Sequence, residues 1–367
     1  ADTAGYGLIV DVNGELIIMR ISDADPLDLG NIVWQTSLEI TAGVLQGYAL
    51  ASNSSDELVL ATVYGGQDTV FVTSFNDDGS LGVSSSLSST VPGAIGVEGL
   101  ALDGAGGCVM GLRLGDDTLR IIHLDGAGVV TDNQVIDSSF GTINSISNIN
   151  GAYYLAMSTG IVKLFPSLLG AYYLGDTVSP ININSVRAHT SGAIIVAGSD
   201  GYLSLIDDAN PGNGGWSVDV NGATSLETVE FNDLVHSSVD GSVYAVGETS
   251  DGQPAFYSVN HIDGTIENFV MKIYSSPWDS AEFNTLTQSG IVAEQSLVGK
   301  MTSGSDSSFF RFEASNIDGS PVISCSDHSV ADSGFSSTPS IKTPLADNAL
   351  TDIPAVDISS VAGSAIA

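Results

Sequence analysis

Five histidines are the side chains best suited to ligate a metal or move a proton: His123, His189, His236, His261 and His328. No two have the i, i+4 spacing of a helical metal motif, and none has the cysteine partner of a mixed zinc site. Each reads as an ordinary strand or turn residue. His189 and His236 stand out only by position: both fall on strands expected to lie innermost, where they would line a central channel. Oxygen ligands offer a second chemistry. Asp23, Asp25 and Asp28 alternate around Pro26, and Asp207-Asp208 precede Asn210. Oxygen-rich loops of this type can hold Ca2+, so calcium is the one cofactor the sequence suggests. Neither run follows the full order of a calcium loop, and solvated acidic loops are the alternative reading.

Motifs for nucleophilic or phosphate chemistry are absent: there is no G-x-S-x-G elbow and no P-loop. Carboxylates are too numerous for their pairing to be informative, since glycoside hydrolysis needs one particular separation. A polysaccharide hydrolase or lyase at a channel is the enzymatic alternative, and scarce basic residues count against the lyase. Trp34, Trp216 and Trp278 could stack on sugars. However, Trp34 and Trp216 fall at corresponding outer-strand positions of two repeats, which packing between repeats explains better. The sequence therefore reads as non-catalytic, with carbohydrate or calcium recognition as the alternative.

The chain of 367 residues carries 43 Asp and Glu against 9 Lys and Arg, a formal charge of −34. Such a field repels nucleic acid, whose binding rests on basic residues neutralising phosphates. It equally repels anionic membrane surfaces. No apolar run is long enough for a spanning helix, so membrane insertion is not expected. The opening Ala1-Asp2-Thr3-Ala4-Gly5 has the texture left by signal cleavage. With the acidity and the richness in Gly, Ser and Thr, it leads to the expectation of a secreted or cell-surface protein. Two cysteines make no disulfide framework. Cys108, in the apolar run Cys108-Val109-Met110, reads as a core residue, and Cys325 lies in a different repeat. A bridge between subunits is the pairing left open for them.

The elements that must position these residues are strands. Short runs rich in Val, Ile, Tyr and Thr alternate with Asn-Gly and Asp-Gly dipeptides such as Asp78-Gly79, Asn150-Gly151, Asp200-Gly201 and Asp263-Gly264. These dipeptides predict type I′ hairpins and hence antiparallel sheets. A unit recurs: Ile143-Asn144-Ser145, Ile183-Asn184-Ser185, Phe231-Asn232 and Phe283-Asn284 each open a strand. Unit starts at 47, 99, 143, 183, 231 and 283 are 52, 44, 40, 48 and 52 residues apart. That period suits a four-stranded blade. The fold expected is an all-β propeller over residues 1–325, with seven blades, six or eight also being compatible. The first unit shows three strands and lacks its first.

Asp240-Gly241-Ser242-Val243-Tyr244-Ala245-Val246-Gly247-Glu248-Thr249, then Ala255-Phe256-Tyr257-Ser258-Val259 and Asp263-Gly264, resembles the blade repeat of the secreted bacterial β-propeller (SBBP-type) repeat proteins. The resemblance covers that blade and implies an extracellular or surface protein. It carries no catalytic residues to this chain.

Residues 326–367 form a different segment, poor in Gly and rich in Ser, Thr, Pro and Ala. Leu350, Ile353, Val356, Ile358 and Val361 are spaced apolar anchors in an extended tail. Two arrangements fit: the tail packs on its own propeller and supplies the missing strand, or it adds as a strand to a neighbouring copy. The second generates a homo-oligomer or, if the contact does not close, a filament. The function expected is thus structural or adhesive, with self-association through the tail.

Overall fold

The computed structural model of the full chain describes residues 5–12, 15–22, 32–38, 45–52, 58–64, 69–89, 95–165, 171–175, 181–189, 191–207, 215–220, 228–237, 241–271, 280–288, 295–303, 306–314, 341–344, 350–352 and 358–362. The chain divides into two compact units, one of residues 1–155, 163–172 and 344–367, the other of 156–162 and 173–343.

The described strands form seven sheets, each in chain order across its main strands. The first contains β1 (Gly5–Val12), β2 (Glu15–Ser22) and β3 (Ile32–Leu38). The second contains β4 (Leu45–Ser52), β5 (Leu58–Tyr64), β6 (Thr69–Phe75) and β7 (Leu81–Ser89). The third contains β8 (Gly96–Leu102), β9 (Cys108–Arg113), β10 (Leu119–Leu124) and β11 (Val130–Ile136). The fourth contains β12 (Ile143–Ile149), β13 (Ala152–Met157), β14 (Gly160–Leu164) and β15 (Ala171–Gly175). The fifth contains β16 (Ile183–Ala188), β17 (Ile194–Gly198), β18 (Tyr202–Ile206) and β19 (Gly215–Asp219). The sixth contains β20 (Val229–His236), β21 (Ser242–Thr249), β22 (Pro254–Asn260) and β23 (Ile266–Met271). The seventh contains β24 (Ser280–Gln288), β25 (Gln295–Ser303) and β26 (Asp306–Ala314).

First strands of successive sheets lie against one another: β4 on β8 and β8 on β12 in one unit, β16 on β20 and β20 on β24 in the other. Antiparallel four-stranded sheets stacked through their first strands are propeller blades, and the protein is an all-β propeller. The core lies between sheets. Val63 and Leu87 of the second sheet pack with Met110 and Leu112 of the third, and Ile195 and Leu203 of the fifth pack with Phe231 and Tyr257 of the sixth.

In five of the sheets the recurring opening of the unit is a β-bulge. Pairing of the first strand with the second skips one residue between Leu45 and Gly47, Val97 and Gly99, Ile183 and Ser185, Phe231 and Asp233, and Phe283 and Thr285. At this extra position the side chains of Asn184 and Glu98 reach the next sheet. Asn184 donates from Nδ2 to the Phe231 carbonyl at 2.8 Å, and Glu98 accepts the Ile143 N–H at 2.9 Å. Each bond ends on the residue just before the next unit's equivalent asparagine.

A second repeated contact joins outer strands to the following sheet. Trp34 of β3 lies on Gly79, in the turn between β6 and β7. Trp216 of β19 lies on Gly264, in the turn between β22 and β23. A Cβ on either glycine would meet the indole at 2.7 or 2.8 Å. Packing between repeats is therefore the role of both tryptophans, while Trp278 lies outside the described residues. The equivalence also makes β3 a fourth-strand position, so β1 is a second strand and, among the described residues, the first sheet shows no innermost one.

The turns correct the uniform type I′ expectation. Asn150-Gly151 (φ +53° and +82°) and Asp200-Gly201 (+56° and +70°) have both central residues left-handed. At Asp78-Gly79 and Asp263-Gly264 only the glycine is, at +80° and +76°. The physical reason is the aspartate side chain, which accepts an N–H two residues on: Ser80 to Asp78 at 2.9 Å and Thr265 to Asp263 at 3.0 Å. That Asx turn closes the bend without a left-handed aspartate. Asp116 and Asp125 make the same bond.

Part of the acidic excess is thus turn chemistry, and it predicts acid sensitivity. Asp103 accepts from the Ala105 and Gly107 N–H groups at 2.7 and 2.8 Å and stands 3.0 Å from His123 Nε2. Burial pushes its carboxyl up, but these bonds and the His123 charge outweigh it and hold the pKa below the ordinary 3.8. Asp116 and Asp137 are lowered too, chiefly by hydrogen bonds from Thr118 and Ser139. A lowered folded pKa means the unfolded chain binds more protons, so stability is present above about pH 4 and is lost as pH falls through the folded values. The urea midpoint should drop below about pH 4. Asp103→Ala should cost about 2–3 kcal/mol at pH 7 and flatten that drop. A midpoint that stays level under acid would contradict this account.

Three short strands come from the tail: β27 (Ile341–Pro344), β28 (Leu350–Asp352) and β29 (Ile358–Ala362). They extend the fourth, third and second sheets, respectively, as a fifth strand next to β15, β11 and β7. The first sheet keeps the order β1-β2-β3. An outermost strand offers a free row of N–H and C=O groups, which is what the tail strands occupy.

Candidate functional site

Strand parity decides which side chains can meet. In an antiparallel four-stranded sheet the first and third strands run the same way, so their C-terminal ends share one face. His189 follows the end of β16, His236 ends β20, and His261 follows the end of β22. The fifth and sixth sheets are neighbours through β16 and β20, so the three imidazoles converge on one face of that junction.

Their ring centroids lie 4.2 Å (189–236), 5.2 Å (189–261) and 5.3 Å (236–261) apart, tilted by 34–47°. One ring nitrogen from each lies within 4.8 Å of the other two. His189 is buried and the other two half-buried. His189 Nε2 is 3.0 Å from His261 Nδ1. On its other side, His189 Nδ1 accepts the Ser191 N–H at 3.1 Å and lies 2.7 Å from Ser191 Oγ. Burial, then the nearby His261 charge, pushes the His189 pKa down, so the imidazole is neutral at pH 7.

The surrounding residues hold this geometry. Trp216 Nε1 donates to the His261 carbonyl at 2.9 Å. Gly241, at φ +76°, leaves room for the His261 ring, since a Cβ there would stand 2.9 Å from Nε2. Just inside the cluster, Asp233 of β20 accepts from Ser185 Oγ at 2.8 Å and from Arg187 Nη2 at 2.7 Å, both on β16. This buried polar link keeps the two first strands in register.

Each of the three stands on a strand or in a turn, as expected, and what spacing along the chain did not show is that the fold gathers them into one cluster. A signal was present. His189 and His236 follow the equivalent Asn184 and Asn232 by five and four residues, so both fall at the C-terminal end of a first strand, one residue apart in the repeat, and parity adds His261. His123 is paired with Asp103 elsewhere, and His328 lies outside the described residues.

The other candidates stand as follows. Asp207 is half-buried just after β18, while Asp23, Asp25, Asp28 and Asp208 lie outside the described residues. Of the tail anchors, Leu350 pairs with Ile136, Ile358 with Ser89 and Val361 with Ser86, while Ile353 and Val356 lie outside the described residues. Cys108 is a free, buried thiol whose pKa burial pushes up to about 12; it is inert as a nucleophile. Cys325 lies outside the described residues.

No family model matches the sequence, and no curated protein matches it. Solved structures do. The chain is similar to the WD40 β-propeller domain of Doa1, with a TM-score of 0.51 at 12% identity over 87% of this chain and 96% of that one. It is also similar to a putative 6-phosphogluconolactonase from Bacteroides fragilis, with a TM-score of 0.52 at 11% identity over 81% of this chain and 89% of that one. At such identities the likeness is one of fold.

Proposed function

We propose that this chain is a structural, non-catalytic β-propeller subunit that works outside the cell and joins copies of itself through its C-terminal tail. The observation that carries the reading is the pairing of Ile358–Ala362 with the outer strand β7 in the register Ile358↔Ser89 to Ala362↔Ser85. Leu350–Asp352 pairs with β11 in the same manner. Both contacts are short ladders on a sheet edge, built from main-chain hydrogen bonds. The same edge on a second copy offers the same bonds, so exchange between copies needs no new interface. If each tail enters the next propeller, the contact is head-to-tail and grows a filament unless the rotation closes it. A charge of −34 opposes that approach, so assembly should strengthen as salt screens it.

The register supplies the experiment. In a background with Cys325→Ser, one batch of protein carries Ser88→Cys and another carries Ser359→Cys, positions that face each other in the ladder. Mixed under oxidising conditions at raised salt, the two batches should yield a covalent heterodimer, and electron microscopy of the unmodified protein should show chains of particles. If mixing gives no heterodimer while a single chain carrying both cysteines closes its own bridge, the tail stays on its own propeller and the assembly reading fails.

A further inference from the structure

We propose that His189, His236 and His261 form a binding site for one divalent transition-metal ion, best matched by Zn2+, at the junction of the fifth and sixth sheets. The site is independent of the tail. It rests on three observations: the ligand set, the spacing and the support behind the ligands.

Three imidazole nitrogens suit borderline ions such as Zn2+ and not Ca2+ or Mg2+, which take oxygen ligands. In a tetrahedral site with metal–nitrogen bonds of about 2.0–2.1 Å, ligand nitrogens stand about 3.4 Å apart. Here one pair stands at 3.0 Å, and all three nitrogens lie within 4.8 Å of one another. Binding therefore asks that pair to open by about 0.4 Å and a pair as wide as 4.8 Å to close by about 1.4 Å, which turning the rings and shifting the two half-buried segments would have to supply. The ligands come from three separate segments on two sheets, so a bound ion would tie the sheets together. Three protein nitrogens leave a four-coordinate ion one position for water or an incoming ligand.

Metal ligands need a partner on the far nitrogen to hold their tautomer, and His189 has one. In the arrangement described, Nδ1 accepts the Ser191 N–H, so the ring proton sits on Nε2 and points at His261. An ion at the cluster takes the place of that proton. The ring would then carry its proton on Nδ1, where Ser191 Oγ stands at 2.7 Å to accept it, and the Ser191 N–H would give up its bond to Nδ1. His261 is braced by Trp216 and by the close approach of Gly241. The net charge of −34 raises the local concentration of cations.

The same charge dictates the controls, because surface carboxylates bind any divalent ion weakly. The protein is titrated with Co2+ in excess Mg2+. One Co2+ per chain should bind with the strong visible absorption of a four-coordinate nitrogen site, and Zn2+ should displace it. His236→Gln and His261→Gln should each weaken Co2+ by more than 100-fold, and Ser191→Ala by the about 10–100-fold typical of an outer partner. Unmodified protein provides a test that does not depend on variant folding. One equivalent of Zn2+ should protect His236 and His261 from diethyl pyrocarbonate, read by peptide mass mapping, and leave His123 as reactive as before. The proposal is overturned if Co2+ shows only the weak spectrum of a six-coordinate aquo ion, if folded variants bind as tightly as the parent, or if Zn2+ protects neither histidine.

Discussion

Gly247→Ala should destabilise the protein by about 3 kcal/mol or more, at the upper end of what overpacking costs. Gly247 lies on β21 opposite Phe231, beside the bulge of β20. A Cβ there would stand 1.8 Å from the Glu230 carbonyl oxygen and 2.8 Å from Glu230 C and Phe231 Cα. Every obstacle is backbone, so no rotamer change relieves the clash, and the bulge must open. Opening it moves Phe231, whose carbonyl receives Asn184 from the fifth sheet, so the damage spreads to the junction between sheets. Gly47, also at a bulge but on a first strand, is the control: the nearest atom to its Cβ is 4.0 Å away. Gly47→Ala should therefore cost less than about 1 kcal/mol. Urea unfolding of both variants checks the account, and equal losses would refute it.

The second large effect is at Trp216. Trp216→Ala should cost about 3–5 kcal/mol, because the indole is only 9% exposed and fills the space over Gly264. It also removes the N–H that holds the His261 carbonyl, so the cluster should loosen along with the fold. Phenylalanine separates the two contributions. Trp216→Phe keeps much of the packing and loses the hydrogen bond, for about 1 kcal/mol. Trp34 packs on Gly79 in the same way and stacks on Phe75 with ring centroids 5.9 Å apart. Its Nε1, however, is buried without a hydrogen-bond partner among the described residues. Trp34→Phe should therefore be neutral or stabilising, since a buried unsatisfied donor is removed. Thermal unfolding of the two phenylalanine variants gives the comparison, and a larger loss at Trp34 would reverse the assignment.

These effects show where sequence and structure each carry the information. The alternation of apolar strands with Asn-Gly and Asp-Gly turns, and a period of forty to fifty residues, determine the antiparallel sheets and the propeller class, because strand length and turn chemistry are local properties. The Ile-Asn and Phe-Asn openings are visible as a repeat in the sequence. Their purpose is not, because a bulge is a mismatch between two strands and the bond from Asn184 to Phe231 belongs to two sheets. The turns at Asp78 and Asp263 depart from type I′ for a local reason: the aspartate's side-chain hydrogen bond competes with a left-handed backbone.

The histidine cluster marks the limit most clearly. Residue types and spacing along the chain gave His189, His236 and His261 no motif, since 47 and 25 residues separate them. What joins them is the stacking of first strands, which brings their C-terminal ends together, and strand parity, which brings a third-strand end to the same face. The chain alone determined that such a repeating sheet would form. Only the stacking of sheet on sheet decided which distant side chains became neighbours, because that stacking is driven by burial between sheets such as Ile195 against Phe231 and has no signature in any single repeat.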